Sequence, residues 1–550
     1  MPRLAPAAPT LRPYQRDAVA AVIARRKAGV RRQVVCLPTG SGKTVIFAHL
    51  ARIAKRPVLV LAHRSELIEQ ARDKLGRALG DPDLVGIEQA DRSAPAHCKV
   101  VVCSLRSLHE ERLARVVAAR DFGLVVYDEC HHAVADDNQR VLRTLGALDP
   151  AWAGTLLGFT ATPVRADGLG LDAVFEEIVY RRSLREMIAD GFLVGVRGYR
   201  IATAADLTEL RRGQRDFVAE ELAEAVDIEE RNALVARSIQ ELARDRRTLV
   251  FCVTVAHAYR LAEALRAVGV PTGVVHGEQS REDRAEVLRL FRAGALSAVT
   301  NVAVLTEGFD DPEVSCVAMA RPTRSPGLYA QCVGRGMRPF PGKSDCLILD
   351  FVDVSSVPLE TLPSLFGLPR QLDFQGRSAD EAARIYADAL RDAPGLELDP
   401  ETITLGEIQR RAAAFDPLTL KLDPEVAAIS GFAWSSLGSK GVALHVQRRP
   451  GWVVEYLVLA RGRRRGDRYH VLVDGRKQAH FSRLEDAVEA VDFEVERLGR
   501  SAVAGALPAA AWRREPVPAR LAQRLPRPVR DHGEAVALAC FVAHGPRARS

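Results

Sequence analysis

Residues 33–52 read QVVCLPTGSGKTVIFAHLAR. An apolar, β-branched run gives way at Pro38 to a loop of small residues, and then to a stretch with helical spacing. A strand that enters a Gly-rich turn and leaves as a helix turns its backbone N–H groups inward at the helix N-terminus, where an anion is stabilised. Thr39, Gly40, Ser41 and Gly42 form such a cradle. Lys43 is placed to neutralise β- and γ-phosphates, and the Thr44 hydroxyl to ligate Mg²⁺. The loop departs from G-x-x-x-x-G-K-[ST] at one place, where Leu37 stands for the first glycine.

The same texture continues outward. Short Val/Leu/Ile runs recur at 33–38, 57–62, 99–104, 122–128 and 155–160, then at 247–253, 272–277, 297–302, 314–320 and 345–350, with amphipathic stretches between them. Continuous apolar runs separated by helices indicate parallel sheets covered on both faces. Two consecutive sets indicate two α/β domains, assigned here to residues 1–193 and 194–356. Prolines around two helices, Ala379–Arg391 and Leu405–Ala414, mark a helical connector over 357–430. Alternating strands and one amphipathic helix then predict a small α+β module over 431–500. A Pro-broken, Arg-rich segment, 501–550, reads as a flexible basic tail with one helix at Gly533–Val542.

The strand LVVYD places Asp128 and Glu129 at its C-terminal end, 85 residues beyond Lys43. There Asp128 holds Mg²⁺ through water, and Glu129 polarises the attacking water. With the phosphate loop, this set resembles the superfamily 2 helicases, with Asp128-Glu129-Cys130-His131 as a DECH box. The resemblance spans about residues 11–353, and its segments come in family order. Leu11 to Gln15 resembles the Q-motif, and Ala62 to Leu67 motif Ia. Gly158 to Pro163 (GFTATP) resembles motif III, Thr300 to Asp310 motif V, and Gln331 to Arg338 (QCVGRGMR) motif VI.

The resemblance implies two RecA-like domains and the cofactors ATP and Mg²⁺. It implies that Gln15 reads adenine and that Gly308 and Asp310 belong to the nucleotide site. Arg335 and Arg338 become arginine fingers, and Gln331 helps position water or γ-phosphate. His131, Thr160 and Thr162 couple hydrolysis to domain movement, and Arg64, Ser104, His276 and Thr300 contact a nucleic-acid strand. Within the superfamily the chain resembles the branch of RadD, XPB and the type I and III restriction motors. That branch implies ATP-driven movement on single-stranded or branched DNA in repair or recombination. The alternatives are an RNA helicase, or a motor subunit serving a nuclease partner.

Charge locates a second feature. The formal net charge is +7, but Gly441–Arg530 holds 18 basic and 10 acidic residues, so the remainder sums to −1. In that block Arg463, Arg464 and Arg465 fall between two predicted strands, beside Tyr469. They are candidate phosphate contacts with an aromatic neighbour, or else a solvated loop. No apolar run is long enough to span a membrane, and the N-terminus carries no apolar signal region. Nine scattered cysteines include no C-x-x-C pair, which predicts a reduced, cytoplasmic protein without structural zinc. The excess of arginine over lysine points to a GC-rich bacterial genome and to no mechanism; the DNA-acting resemblance implies a cytoplasmic, nucleoid-associated protein.

Overall fold

The computed structural model describes residues 10–62, 65–89, 92–161, 170–210, 216–306, 309–355, 358–393, 403–414, 418, 422–460 and 469–545. The chain forms two compact units, Met1–Ala379 and Asp380–Ser550. The first unit contains two parallel sheets in tandem.

The first sheet comprises β1 (Arg32–Cys36), β2 (Val58–Ala62), β3 (Val85–Glu88), β4 (Val100–Ser104), β5 (Leu124–Asp128), β6 (Thr155–Thr160) and β7 (Glu177–Arg181). Their order is β3-β4-β2-β5-β6-β1-β7, and every pairing is parallel. β2, β4 and β6 are buried along their whole length, as strands covered on both faces must be. β7, at one edge, is half-buried or exposed throughout, which explains its mixed sequence EIVYR.

The second sheet comprises β8 (Gly195–Asp206), β9 (Arg247–Phe251), β10 (Thr272–Val275), β11 (Ala298–Asn301), β12 (Val314–Met319) and β13 (Asp345–Val354). It is ordered β10-β11-β9-β12-β13-β8, again all parallel. Its core joins Val250, Leu261, Leu265, Ala318 and Leu349. β8 is an edge strand with arginines and a tyrosine among its small residues, so it has no apolar run to announce it.

The second unit holds a five-stranded antiparallel sheet. Its strands, in spatial and chain order, are Trp434–Ser436, Gly441–Arg449, Trp452–Ala460, Tyr469–Val473 and Arg476–Phe481. The helix Leu484–Arg497 packs Leu484, Val488, Val491 and Val495 against one face, on Val442, Leu444, Val446 and Val458. The expected flexible tail is folded within the described residues. Helices Arg500–Ala506 and His532–His544 are formed, and Trp512, Leu538, Cys540 and Phe541 are buried. The tail's apolar residues are mostly alanine, and the larger ones cluster against the sheet, which composition alone does not reveal. Among the described residues no helix is long and apolar enough to cross a membrane.

Candidate active site at the interlobe cleft

Ligands of open parallel sheets bind beyond the carboxyl ends of the strands. Here β1, β6 and β5 end side by side. The Leu37 N–H, just past β1, donates to the Thr160 carbonyl at the end of β6, at 2.9 Å. The loop then turns through Gly40 and Gly42, both left-handed, with φ of 85° and 76°. The helix Lys43–Ile53 starts directly after Gly42. A side chain at Gly42 would be strained in that backbone and would meet the Gln15 amide nitrogen at 2.9 Å. The hydroxyls of Thr39 and Ser41 are buried without a protein hydrogen-bond partner. Buried polar groups are nearly always paired, so these two orphans fit a loop shaped for phosphate oxygens.

Lys43 faces the end of β5. Its Nζ lies 3.0 Å from Glu129 Oε1, and the two side chains are only 11% and 10% exposed. Burial alone would lower the lysine's pKa, but the carboxylates of Glu129 and Asp128 outweigh it and hold it raised. Burial likewise works to raise Glu129, and Lys43 with His131 overcomes this, driving the carboxyl well below the usual range. Glu129 sits at φ 51°, ψ 54°. A non-glycine residue in this region costs on the order of 1–3 kcal/mol, strain that clusters at functional sites. The Glu129 N–H donates to Asp128 Oδ1 at 3.2 Å. His131 Nδ1 lies 3.4 Å from Glu129 Oε2 and 3.2 Å from Thr160 Oγ1. Lys43, Glu129, His131 and Thr160 therefore form one continuous chain from the phosphate loop to the end of β6. Thr44 follows Lys43 in the first helical turn and Asp128 closes β5; these are the residues that could hold a divalent cation.

The second lobe closes over this loop. Gly334, last residue of the helix Pro326–Gly334, leaves no room for a side chain: a Cβ there would stand 2.5 Å from Thr39 Cβ. Arg335 is buried and donates to the carbonyls of Thr306 (Nε, 3.0 Å) and Phe309 (Nη1, 2.9 Å). Its guanidinium is thus held on its own lobe. Gln331 is buried on the same helix. Arg338 forms an ion pair with Asp310. Burial lowers Arg338 to about 10.

Lys74, on the helix Ser65–Leu79 of the first lobe, reaches Asp310 Oδ2 at 3.4 Å. Burial, with Arg338 beside it, lowers Lys74 to about 8. Lys74 was not marked by the sequence. It belongs to no motif, and only the fold brings it to Asp310.

Other sites fall differently. Gln15 accepts from the Arg12 N–H at 3.0 Å, capping its own helix, and donates to the Ser41 carbonyl at 3.2 Å, so its amide nitrogen braces the phosphate loop. Tyr14 donates its hydroxyl to the same carbonyl. Thr300 requires correction as a strand contact. It is 0% exposed, and its hydroxyl donates to the Ala258 carbonyl at 3.0 Å, inside the second lobe. Ser104 and His276 are also buried, the latter with Nε2 at 3.2 Å from the Tyr259 hydroxyl. Arg64, Thr162, Gly308, Arg463, Arg464 and Arg465 lie outside the described residues.

Comparison with known proteins extends this geometry. The type III restriction enzyme res subunit family matches residues 8–165, and the helicase conserved C-terminal domain matches residues 230–339. The chain is 34% identical over 442 residues to irc3 of Schizosaccharomyces pombe, described as a mitochondrial ATP-dependent helicase, covering 78% of this chain and 71% of that protein. It is 30% identical over 399 residues to IRC3 of Saccharomyces cerevisiae, covering 70% of this chain but only 57% of that one. In fold it is similar to the ATP-dependent Type ISP restriction-modification enzyme LlaBIII bound to DNA. The TM-score is 0.50 at 17% identity, over 72% of this chain and 31% of that one.

Proposed function

Because this chain belongs to the superfamily 2 helicases, in the branch of restriction motors and XPB-like proteins, we propose that it is a DNA translocase or helicase driven by Mg²⁺-ATP hydrolysis and acting in repair or recombination. The observation that carries the reading is the meeting of Thr39 and Gly40 with Gly334 and Arg338, which faces a phosphate loop on one lobe with arginines on the other. Bound Mg²⁺-ATP supplies the phosphoryl bond whose cleavage drives the cycle. Thr39, Ser41 and the loop N–H groups hold the phosphates, and Thr44 and Asp128 hold the cation. Lys43 leaves Glu129 for the phosphates, which frees Glu129 to take a proton from water. His131 and Thr160 register that change at the end of β6. Lys74 and Arg338 share Asp310 across the cleft, so a phosphate arriving there competes with Asp310 for both cations.

The test is ATPase rate across single-stranded DNA, duplex, fork, four-way junction and RNA. DNA should stimulate more than RNA, and branched DNA most; a steeper response to RNA would assign an RNA helicase instead. The family match to restriction res subunits favours a second reading, a motor serving a nuclease partner. Stoichiometric recovery of a nuclease with the chain would establish it.

A further inference from the structure

Ligand-type side chains converge in the second unit on a sheet face that is otherwise apolar. Leu437, Ala443, Leu457 and Phe541 pack there as the helix His532–His544 covers the sheet, and Cys540 is part of this core. His445 and Glu455 interrupt it. They are directly opposed partners of the antiparallel pair Gly441–Arg449 and Trp452–Ala460. His445 Nε2 lies 3.4 Å from Glu455 Oε2. The ligand atoms of His445, Glu455 and Cys540 all lie within 4.8 Å of one another. His544 follows Cys540 by one helical turn, hence on the same face. Its Nε2 is 3.4 Å from the other oxygen, Oε1, of Glu455.

Zinc is bound by nitrogen, oxygen and sulfur at about 2.0–2.3 Å, so neighbouring ligand atoms of a tetrahedral site stand roughly 3.3–3.8 Å apart. The His445 Nε2–Glu455 Oε2 separation of 3.4 Å matches that edge, while His544 Nε2 faces the second carboxylate oxygen, Oε1. Two ligands from a strand pair and two from i, i+4 positions of a helix can surround one ion. We propose that His445, Glu455 and Cys540 bind Zn²⁺, that His544 closes the fourth position by a small rotation, and that the ion pins the last helix to the sheet. One carboxylate and one thiolate balance the dication, which leaves a half-buried site with no net charge. The Cys540 thiol releases its proton to solvent on binding. Mixed imidazole, thiolate and carboxylate ligation selects zinc over magnesium or calcium. Four protein ligands make the site structural rather than catalytic. This revises the expectation of no structural zinc, which rested on the absence of C-x-x-C pairs; this set needs none.

The full, untagged chain expressed with zinc should carry about one zinc equivalent by elemental analysis. After chelation, Co²⁺ should give the thiolate charge-transfer absorption of a tetrahedral site. Cys540→Ser and His445→Ala should each lower the metal content at least about tenfold, and His544→Ala less. A chain with under about a tenth of an equivalent and no cobalt–thiolate band overturns the proposal. So does metal retained undiminished in both variants. Should either variant fail to fold, the cobalt spectrum of the natural chain decides alone.

Discussion

Glu129→Gln should tighten nucleotide binding while it stops turnover. The substitution keeps the shape of the side chain and removes its charge. In the free protein that charge holds Lys43 at 3.0 Å in a nearly water-free place. Coulomb's law at an effective dielectric of about 20 gives roughly 5 kcal/mol at that separation, an upper bound that neglects desolvation. A hydrogen bond to a charged group is worth about 1.5–3 kcal/mol net, and a neutral one about 1. The glutamine therefore releases about 1–2 kcal/mol of hold on Lys43, which the phosphates recover as about 5- to 30-fold tighter ATP binding. Loss of the proton acceptor should lower kcat by about a hundredfold or more. Without nucleotide the same variant leaves Lys43 buried with less compensation, so it should unfold more easily, and ATP should restore more stability than it adds to the natural chain. Nucleotide titration, steady-state ATPase and thermal unfolding with and without ATP read all three. Unchanged or weaker ATP affinity, in a variant as stable as the natural chain, would refute the claim that Glu129 restrains Lys43.

Gly334→Ala places a methyl 2.5 Å from Thr39 Cβ, so the lobes must part to admit it. Overpacking of this kind costs about 1–3 kcal/mol, expected as a rise in the KM for ATP with little change in the unfolding temperature. Arg335→Lys cannot serve the Thr306 and Phe309 carbonyls with one planar fork, so both stability and ATPase should fall, and unfolding should register a loss of about 1–3 kcal/mol. Lys74 carries a pH signature. Its folded value of about 8 lies below the ordinary 10.5, so between those pH values the unfolded chain binds more protons, and this group's contribution to stability rises with pH. Lys74→Met should flatten that rise in chemical denaturation at pH 7 to 10. A slope unchanged by the substitution would remove Lys74 from the cleft's electrostatics.

Local pattern made the fold legible where burial is complete. β2 reads VLVLA because both its faces are covered, and the sequence carries that fact in five consecutive residues. Two edge strands carry no such run, for the opposite reason. β7 (EIVYR) and β8 (GVRGYRIATAAD) keep one side toward water, and their polar residues look like loops. The candidate site divides the same way. Asp128 and Glu129 are marked because they stand at the end of an apolar strand, and Lys43 because it follows a glycine-rich turn that opens a helix, so in both places the chain itself announces a turn. Lys74 stands mid-helix, 236 residues from Asp310, and no local signal distinguishes it from a surface lysine. Thr300 shows the converse error. Its motif position points to a contact, but its hydroxyl is taken up by the backbone carbonyls of Ala258, on the helix that covers the sheet, and Gly273, in the neighbouring strand.

The second unit sharpens the point about charge. Its surplus of arginine points to a loose basic tail, yet the segment is ordered by apolar packing on the sheet and by buried hydrogen bonds. Trp512 donates its indole N–H to the Gly505 carbonyl at 2.8 Å, and Arg513 donates to the His445 carbonyl at 2.7 Å while stacking over Trp512. A half-buried arginine engaged in this way is structural, so net charge overstates how much of the segment is free to meet phosphate. Arg448 and Arg449 both lie over the ring of the 42% exposed Trp452, at the far end of the strand pair that carries His445 and Glu455. These cations and their aromatic partner are on the surface, and their stacking spends part of the arginine surplus on the ring rather than leaving it free.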